Sequence, residues 1–309
     1  MDNSTEMLIF LQVLNDTKSN KQTYFVVTLL VYHFTILVNL TLIVTIILDR
    51  MLHEPMFIFL CNLCVNGIFG ASTFYPKILV DFLSDVSVTP YKACLAQMFV
   101  IYSYVFCEIT TLAVMAYDRY VAICKPLNYH SIITPGKVVK FLIFTWLFSI
   151  CESAIAICLV ARLPLCGFRI EKLYCSAWPV VKLSCVDTTI NNVYGSVLMV
   201  LHVLQALVIL FSYVNIIKAS VRSQEERSKF MQTCLPHLIS LTNFSVAIVF
   251  DIMYARYGST TSMQSLRNFM SLEYLVVPPM LNPLIYGLKL SQIRRRIFRI
   301  CSRKRDVLK

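Results

Sequence analysis

The chain has 309 residues, of which 57% are hydrophobic and only 15% are charged, and its mean hydropathy is +0.68. Soluble domains carry about 25% charged residues, so this composition argues against an ordinary soluble domain and favours a membrane protein. The net charge of +11 suits either nucleic acid or an anionic lipid surface. The most basic segment directly follows an apolar stretch, which favours membrane lipid as a partner and argues against nucleic acid.

The first 22 residues contain no basic region followed by a clean apolar core. They are therefore not expected to form a cleavable signal peptide. The first apolar stretch would then act as an uncleaved signal-anchor.

Seven stretches reach the length of about 20 mostly apolar residues that a membrane helix needs. These predicted spans are Tyr24–Leu48, Met56–Phe82, Leu95–Val121, Val138–Val160, Ile190–Ala219, Thr233–Tyr254 and Phe269–Leu288. The predicted fold is an all-α membrane protein, a seven-transmembrane helix bundle over residues 24–288 that follows an extracellular segment, 1–23. The basic tail, 289–309, is predicted to form a short amphipathic helix on the acidic inner leaflet; a solvated basic tail is the alternative.

The basic residues predict the orientation of these spans. If the N-terminus lies outside, the inner segments hold most of the 28 Lys and Arg residues, as the positive-inside rule requires. N-glycosylation sequons at Asn3 and Asn15 fall in the segment that this orientation places outside. Two further sequons, at Asn39 and Asn243, lie within predicted spans, where they are inaccessible to glycosylation.

The 12 cysteines were assigned to compartments on the same topology. Four of them face outside: Cys94, Cys166, Cys175 and Cys185. An even number in an oxidising compartment predicts two disulfides, and sequence alone leaves three pairings open. A bridge from Cys94 to the long loop 161–188 would hold that loop over the bundle as a lid. A zinc site is disfavoured because no outer His has ligand spacing, and Cys301 is either palmitoylated or a reduced thiol.

The stretch MAYDRYVAICKPLNYH places charged residues at the end of the third span. Asp118 can pair with Arg119 there, so the charge is tolerated at the membrane interface. Such a pair can be a switch that holds the arginine in one state and frees it for a partner in another. The alternative is an ordinary interfacial ion pair.

This stretch resembles the signature of olfactory receptors, within the rhodopsin-like (class A) G-protein-coupled receptors. The resemblance continues in order through EPMFIFLCNL (Glu54–Leu63), SKFMQTCLPHL (Ser228–Leu238) and PPMLNPLIYGLK (Pro278–Lys289), which contains N-P-x-x-Y. It covers nearly the whole chain. The second-span sequence CNLCVNGIFGASTFYPK is more similar to fish receptors than to mammalian ones.

The resemblance implies an odorant receptor and not an enzyme. Such a receptor binds a small odorant in the outer half of the bundle and activates a heterotrimeric G protein of the olfactory stimulatory type, raising cyclic AMP. The implied location is the plasma membrane of olfactory sensory neuron cilia, and no cofactor or metal is implied. The first alternative is a non-olfactory class A chemoreceptor. The second, which is less favoured, is a membrane transporter, for which Glu108 is the main candidate residue.

The resemblance also implies roles for individual residues. Those implied for G-protein coupling and activation are Asp118, Arg119, Tyr120, Tyr213, His237, Asn282, Pro283 and Tyr286. His237 has a packing role as its alternative. The implied disulfides are Cys94–Cys175 and Cys166–Cys185.

Two departures from the family pattern affect these expectations. Gly67 stands where the family has an acidic residue, so Glu108 lacks the usual partner with which it holds sodium in related receptors. Glu108 is then either protonated or hydrogen-bonded to its neighbours. The sixth span has NFSV where the family has FYG, which leaves the details of its activation open.

Candidate ligand contacts lie toward the outer ends of the spans. They are Ile101, Tyr102, Val105, Phe106, Ser153, Tyr194, Leu198, His202, Asp251, Ile252 and Leu272; core packing is the alternative for each. Ile101 occupies the position of the amine-binding aspartate of related receptors, so an amine is not expected there. Asp251 and Glu273 could serve a cation elsewhere, and the outer basic residues could steer an anion. These basic residues are Arg162, Lys172, Arg256 and Arg267.

Overall fold

Seven long helices make up the body of the computed structural model. The residues that it describes are 7–12, 17–220, 224–257, 264–289 and 296. The long helices are α1 (Lys18–Leu48), α2 (Pro55–Leu83), α3 (Tyr91–Cys124), α5 (Pro135–Ala161), α7 (Thr189–Ser220), α8 (Gln224–Tyr257) and α9 (Gln264–Lys289). Six of them are long and apolar enough to cross a membrane, and α9, which contains three prolines, is the seventh. The predicted all-α fold class is confirmed.

Short elements connect the long helices. Two 3₁₀ helices, Arg50–Leu52 and Pro126–Asn128, follow α1 and α3, and the second leads into α4 (Tyr129–Ile132). The loop between α5 and α7 contains α6 (Ala177–Val181). In the tail, Arg296 Nε lies 2.7 Å from Asp49 Oδ2 at the end of α1.

Capping residues explain why several helices start earlier than the apolar stretches. Thr17 caps α1 by accepting a hydrogen bond from the Asn20 backbone N–H at 3.3 Å, so α1 begins six residues before Tyr24. Thr134 caps α5 in the same way, and Pro135 occupies the first helical position. The spans were predicted from apolar residues alone, and the polar first turns continue the same helices.

Helix α3 is the central helix of the bundle. In its apolar window 78% of the residues are buried, against 11% in α7, and α3 contacts α2, α5, α7 and α8. Large apolar side chains of α1, α5 and α7 are exposed on the outside of the bundle. This is the pattern of a protein whose outer surface faces lipid instead of water.

A small three-stranded sheet covers one end of the bundle, which we call the sheet end. Its strands are β1 (Leu8–Leu11), β2 (Val88–Pro90) and β3 (Arg169–Ile170), in the order β2-β1-β3. Strand β1 is antiparallel to β2 and parallel to β3. Its residues alternate between exposed and buried, as a half-buried strand requires. This strand lies in the segment 1–23, for which no regular structure was predicted.

Two disulfides organise the long loop at the sheet end. Cys94, in the first turn of α3, is bonded to Cys175, and Cys166 is bonded to Cys185 within the loop. These are the pairings that the resemblance implies. The loop is thereby held across the bundle as a lid, and we use "the lid" below for residues 161–188.

The contact between α2 and α3 gives a stability prediction. A Cβ added at Gly70 would lie 2.6 Å from Cγ of Tyr104, whose hydroxyl donates to the Tyr274 carbonyl at 3.0 Å. Because the ring is held at both ends, Gly70→Ala should destabilise the protein by about 1–3 kcal/mol through overpacking. Thermal unfolding of the purified protein would measure this. Gly136→Ala is the matched control, since nothing lies within 4 Å of its added Cβ; equal effects of the two changes would contradict the prediction.

Candidate functional site

A cavity of about 250 Å³ lies at the sheet end, between α3, α5, α7 and α8 and beneath the lid. Its wall is mainly apolar and combines residues of four helices, the lid and one position in α9. The lining residues are Tyr102, Val105, Phe106, Ile109, Ala156, Leu159, Val160, Ser176, Ala177, Trp178, Val181, Asn191, Tyr194, Gly195, Leu198, Met199, His202, Val203, Ala206, Ser245, Ile248, Val249, Asp251, Ile252, Ala255, Arg256 and Tyr274.

Helical periodicity determines which residues of α3 line the cavity. Tyr102, Val105, Phe106 and Ile109 follow the i, i+3, i+4, i+7 pattern of one helix face. Ile101 precedes this face by one residue, which is about 100° around the helix. It is 2% exposed and packs in the core between helices. Ile101 therefore does not line this cavity, although its neighbours do, and its contact with ligand stays a prediction.

Two other predicted ligand contacts also lie outside the lining. Ser153 is fully buried, and its hydroxyl donates to the Ser149 carbonyl of its own helix at 2.8 Å. Leu272 packs in the core against neighbouring apolar residues, and Tyr274 is the residue of α9 that lines the cavity instead. The remaining predicted contacts on α7 and α8 line the cavity: Tyr194, Leu198, His202, Asp251 and Ile252.

The lid forms the roof of the cavity. Tyr102 of α3 accepts a hydrogen bond from the Ala177 backbone N–H at 2.9 Å, and Gln97 accepts one from the Cys175 N–H at 3.0 Å. Trp178 lines the cavity, and the guanidinium of Arg256 lies 5.0 Å from the centre of its ring. Sequence reasoning missed these roof residues because the position of a loop over a bundle has no periodic signal.

A buried ion pair connects the lid to α8. Lys172 Nζ lies 2.6 Å and 2.9 Å from the two carboxylate oxygens of Asp251. The two side chains are 5% and 11% exposed. Beside the pair, the hydroxyls of Tyr174 and Tyr274 are 2.5 Å apart and connect the lid to α9. Burial raises the pKa of Tyr174 well above its ordinary value, so its hydroxyl stays neutral and serves as a hydrogen-bonding group.

This ion pair gives a second stability prediction. Asp251→Asn removes the carboxylate while the Lys172 ammonium stays buried, and breaking a buried pair in this way costs about 3–5 kcal/mol. Thermal unfolding of the purified protein should register a large loss of stability. Asp187→Asn is the control, because Asp187 is an exposed carboxylate of the same lid that hydrogen-bonds to the nearby Thr189 and not to a buried charge. If Asp251→Asn were as stable as Asp187→Asn, the ion pair would contribute little to the free energy of unfolding.

A polar network crosses the middle of the bundle and contains the predicted intramembrane acid. The carboxylate of Glu108 accepts from Asn66 Nδ2 at 2.9 Å and from Asn282 Nδ2 at 2.8 Å, and Ser240 donates to Asn282 Oδ1 at 2.5 Å. The structure shows Glu108 hydrogen-bonded to its neighbours, which was one of the two expectations for this residue. Asn66, one residue before Gly67, supplies the partner on α2 that sequence comparison did not identify.

The environment of Gly67 fits this arrangement. A Cβ added at Gly67 would meet Cα and Cβ of Pro279 at 3.4 Å and Oδ1 of Asn39 at 3.5 Å. Asn39 itself donates to the Pro279 carbonyl at 2.7 Å, so α1, α2 and α9 meet closely at this point. A side chain at position 67 would therefore begin in van der Waals contact with α1 and α9.

The Asp118–Arg119 pair lies at the other end of the bundle, which we call the Arg119 end. Arg119 Nε donates to Asp118 Oδ2 at 2.9 Å, and the Tyr129 hydroxyl of α4 donates to Asp118 Oδ1 at 2.8 Å. Asp118 is 1% exposed. Burial, followed by the nearby Asp118 carboxylate, raises the pKa of Tyr129, so its hydroxyl remains a donor. The carboxylate thus holds both the arginine and the loop that follows α3.

The other predicted activation residues lie in three places: toward the Arg119 end, at the Glu108 network, or outside the described side chains. Tyr213 and Tyr286 are buried in the same core cluster, and Tyr120 packs against it. Pro283 is buried in α9 beside Asn282. The side chain of His237 lies outside the described part of the chain. The predicted glycosylation and lipidation positions also lie outside it: Asn3, Asn15 and Cys301.

Sequence comparisons identify the family. The olfactory receptor family model matches residues 28–304. Human olfactory receptor 52K2 is 37% identical over 289 residues, covering 89% of this chain and 88% of that protein. Human olfactory receptor 8I2 is 35% identical over 310 residues, covering 98% of each chain. Mouse olfactory receptor 8U9 is 35% identical over 311 residues, covering 99% of this chain and 98% of the mouse protein.

A solved structure supports the fold independently. The crystal structure of squid rhodopsin matches with a TM-score of 0.74 at 16% identity, covering 91% of this chain and 85% of the rhodopsin chain. The seven helices therefore have the fold of rhodopsin, and the family match supports a multi-pass plasma membrane protein. Together with the family match over most of the chain, this fold shows that the protein belongs to the olfactory receptor family, whose members are receptors and not enzymes.

Proposed function

We propose that the protein is an odorant receptor that binds a small ligand in the cavity beneath the lid and activates a heterotrimeric G protein at the Arg119 end. The observation that carries this proposal is the continuous arrangement of three parts. The cavity at the sheet end and the Asp118–Arg119 pair at the other end are separated by the Glu108 network, which joins α2, α3, α8 and α9.

The character of the cavity supports a small, largely apolar ligand. Its volume of about 250 Å³ is at or below the lower end of common ligand pockets, and most of its lining side chains are apolar or aromatic. Ligand binding would shift the receptor toward an active state only through its different affinities for the two states. Rearrangement around Asn282 and Glu108 would then release Arg119 from Asp118.

The orientation follows from the same proposal. The lid and its disulfides would lie outside the cell, with Asn3 and Asn15 glycosylated in the extracellular segment. The Arg119 end and the basic tail would be cytosolic, where the tail meets acidic lipid. We further propose signalling through the olfactory stimulatory G protein and cyclic AMP in sensory cilia. The fish-type character of the second span remains a prediction, since the relatives reported above are human and mouse proteins.

Expression outside the nose would give a non-olfactory chemoreceptor with the same mechanism. A transporter is not favoured, because Glu108, its main candidate residue, is bonded to two amide groups.

The experiment is a cyclic AMP assay in cells that express the full chain with the olfactory stimulatory G protein. A broad panel of small odorants should contain at least one that raises cyclic AMP in a dose-dependent way above cells without the receptor. Surface expression is quantified in parallel with an N-terminal epitope tag. Silence across the panel at confirmed surface expression would contradict the proposed coupling, while leaving the family assignment intact.

A further inference from the structure

One corner of the cavity is polar and contains a complete ion pair. It consists of Asp251 and Lys172 together with the hydroxyl groups of Tyr102, Ser176, Tyr174 and Tyr274, and we call it the polar corner. Asp251, Tyr102, Ser176 and Tyr274 line the cavity. The Lys172 ammonium lies directly behind them, 2.6 Å from the Asp251 carboxylate. A ligand in the cavity therefore reaches a carboxylate and, one contact further, an ammonium.

The Tyr174 hydroxyl of the polar corner lies beside this pair, and the other hydroxyls are arranged in two contacts. Tyr174 lies 3.4 Å from Lys172 Nζ and 2.5 Å from the Tyr274 hydroxyl. On the side of α3, the Tyr102 and Ser176 hydroxyls are 3.4 Å apart. A hydroxyl group both donates and accepts hydrogen bonds. The corner can therefore solvate a positive and a negative group at the same time.

The ion pair restricts which charged ligands can enter the corner. A ligand with only a positive group can take Asp251 only by leaving the buried Lys172 without its carboxylate. A ligand with only a negative group can take Lys172 only by leaving Asp251 without its ammonium. Either exchange leaves an uncompensated buried charge, which is strongly unfavourable.

A zwitterion avoids this penalty. Its ammonium group pairs with Asp251 while its carboxylate pairs with Lys172, so every charge keeps a partner of opposite sign. The two charges must be adjacent in the ligand because the two protein groups are in direct contact. An α-amino acid has this arrangement. Its side chain would extend into the apolar part of the cavity, where Val105, Phe106 and Leu198 form the wall.

We propose that the polar corner is a subsite for the zwitterionic head group of a small α-amino acid with an apolar side chain. The assignment rests on the proposed function, since it names the ligand class of the same cavity. It also joins the two expectations from sequence, a cation partner for Asp251 and an anion partner for Lys172, into one site. Insertion of the head group would replace the direct contact between the lid and α8 by a ligand-bridged one. Binding would thereby change the spacing between the lid and α8.

The test compares three ligand series on the purified full-length receptor in lipid nanodiscs. The first series contains L-alanine, L-valine, L-leucine, L-methionine and L-phenylalanine. The second contains the amines formed by removing their carboxyl groups, and the third contains the carboxylic acids that lack the amino group. Titration calorimetry should show at least one amino acid binding tenfold or more tightly than its matched amine and its matched acid. Amino acids that bind no better than both partners would overturn the proposal.

The double variant Lys172→Gln with Asp251→Asn tests whether these two residues bind the head group. It removes both charges together, so neither charge is left unpaired, and it should be more stable than Asp251→Asn alone. We expect it to lose amino acid binding by tenfold or more. Undiminished amino acid affinity in this variant would place the head group elsewhere and overturn the proposal. If the variant does not fold, the ligand series on the unmodified receptor decides the question alone.

Measurements of binding and of signalling distinguish the proposed subsite from the proposed receptor function. Calorimetry needs no G protein, so amino acid binding without cyclic AMP would support the subsite and contradict the proposed coupling. Cyclic AMP raised by other odorants, with no amino acid bound, would support the receptor function and overturn the subsite.

Discussion

Arg119→Ala is expected to reduce ligand-dependent cyclic AMP to the level of cells without the receptor, while the protein still reaches the cell surface. In the structure Arg119 is held by Asp118, and we propose that the active state releases it toward the G protein. Alanine removes the group that makes this contact and leaves the cavity at the other end of the bundle unchanged. The measurement is the cyclic AMP assay together with surface staining and ligand binding.

Lys125→Ala is the matched control for this variant. Lys125 is an exposed basic residue directly after α3, so the change removes a nearby positive charge without affecting the Asp118 pair. The control should keep at least half of the response. A normal response in Arg119→Ala would refute the role proposed for this residue, and loss of ligand binding would show that the substitution acts on the fold.

Cys94→Ser is expected to prevent delivery of the receptor to the cell surface. The Cys94–Cys175 bond closes a loop with a sequence separation of 81 and fixes the centre of the lid to α3. Loss of a disulfide costs about 2–5 kcal/mol in small secreted domains. Here it also releases the roof of the cavity, so the buried groups beneath it become accessible to water. Flow cytometry of an N-terminally tagged receptor measures the surface fraction.

Cys151, an exposed free cysteine of α5, provides the control, because Cys151→Ser breaks no disulfide and should be delivered normally. Cys166→Ser should have an intermediate effect, since the bond to Cys185 closes a loop with a separation of only 19 within the lid. Normal trafficking and ligand response of Cys94→Ser would count against a structural role for the bridge.

The order and type of six long helices were predictable because each contains an apolar stretch of membrane length; α9 is less uniformly apolar and contains three prolines. Their ends were less predictable. Helix α8 begins at Gln224, nine residues before the predicted start at Thr233, because a helix continues through polar turns once it has formed. An apolar stretch marks what lies in lipid, whereas hydrogen bonding and capping determine where the helix begins.

The cavity likewise contains residues that a local pattern predicts and residues that it does not. Residues on one helix face, such as Tyr102 and Phe106, were predictable from position, whereas Ile101 lies one residue off that face and does not line the cavity. The partners of buried polar groups were not predictable. The pairing of Lys172 with Asp251 joins residues 79 positions apart, and the contact of Asn66 with Glu108 depends on how α2 is rotated against α3. Such contacts follow from helix packing, which no local pattern records.

The small sheet has a consequence for the order in which the chain assembles. The first strand of the protein pairs at Leu11 with Ile170, which lies beyond the middle of the chain. During synthesis, residues 8–11 therefore emerge long before one of their partners exists. They cannot take their final place until the fourth long helix is made and the loop after it has been released. The sheet is therefore completed late, and a nascent protein arrested before Ile170 would hold residues 8–11 through their pairing with β2 but without β3.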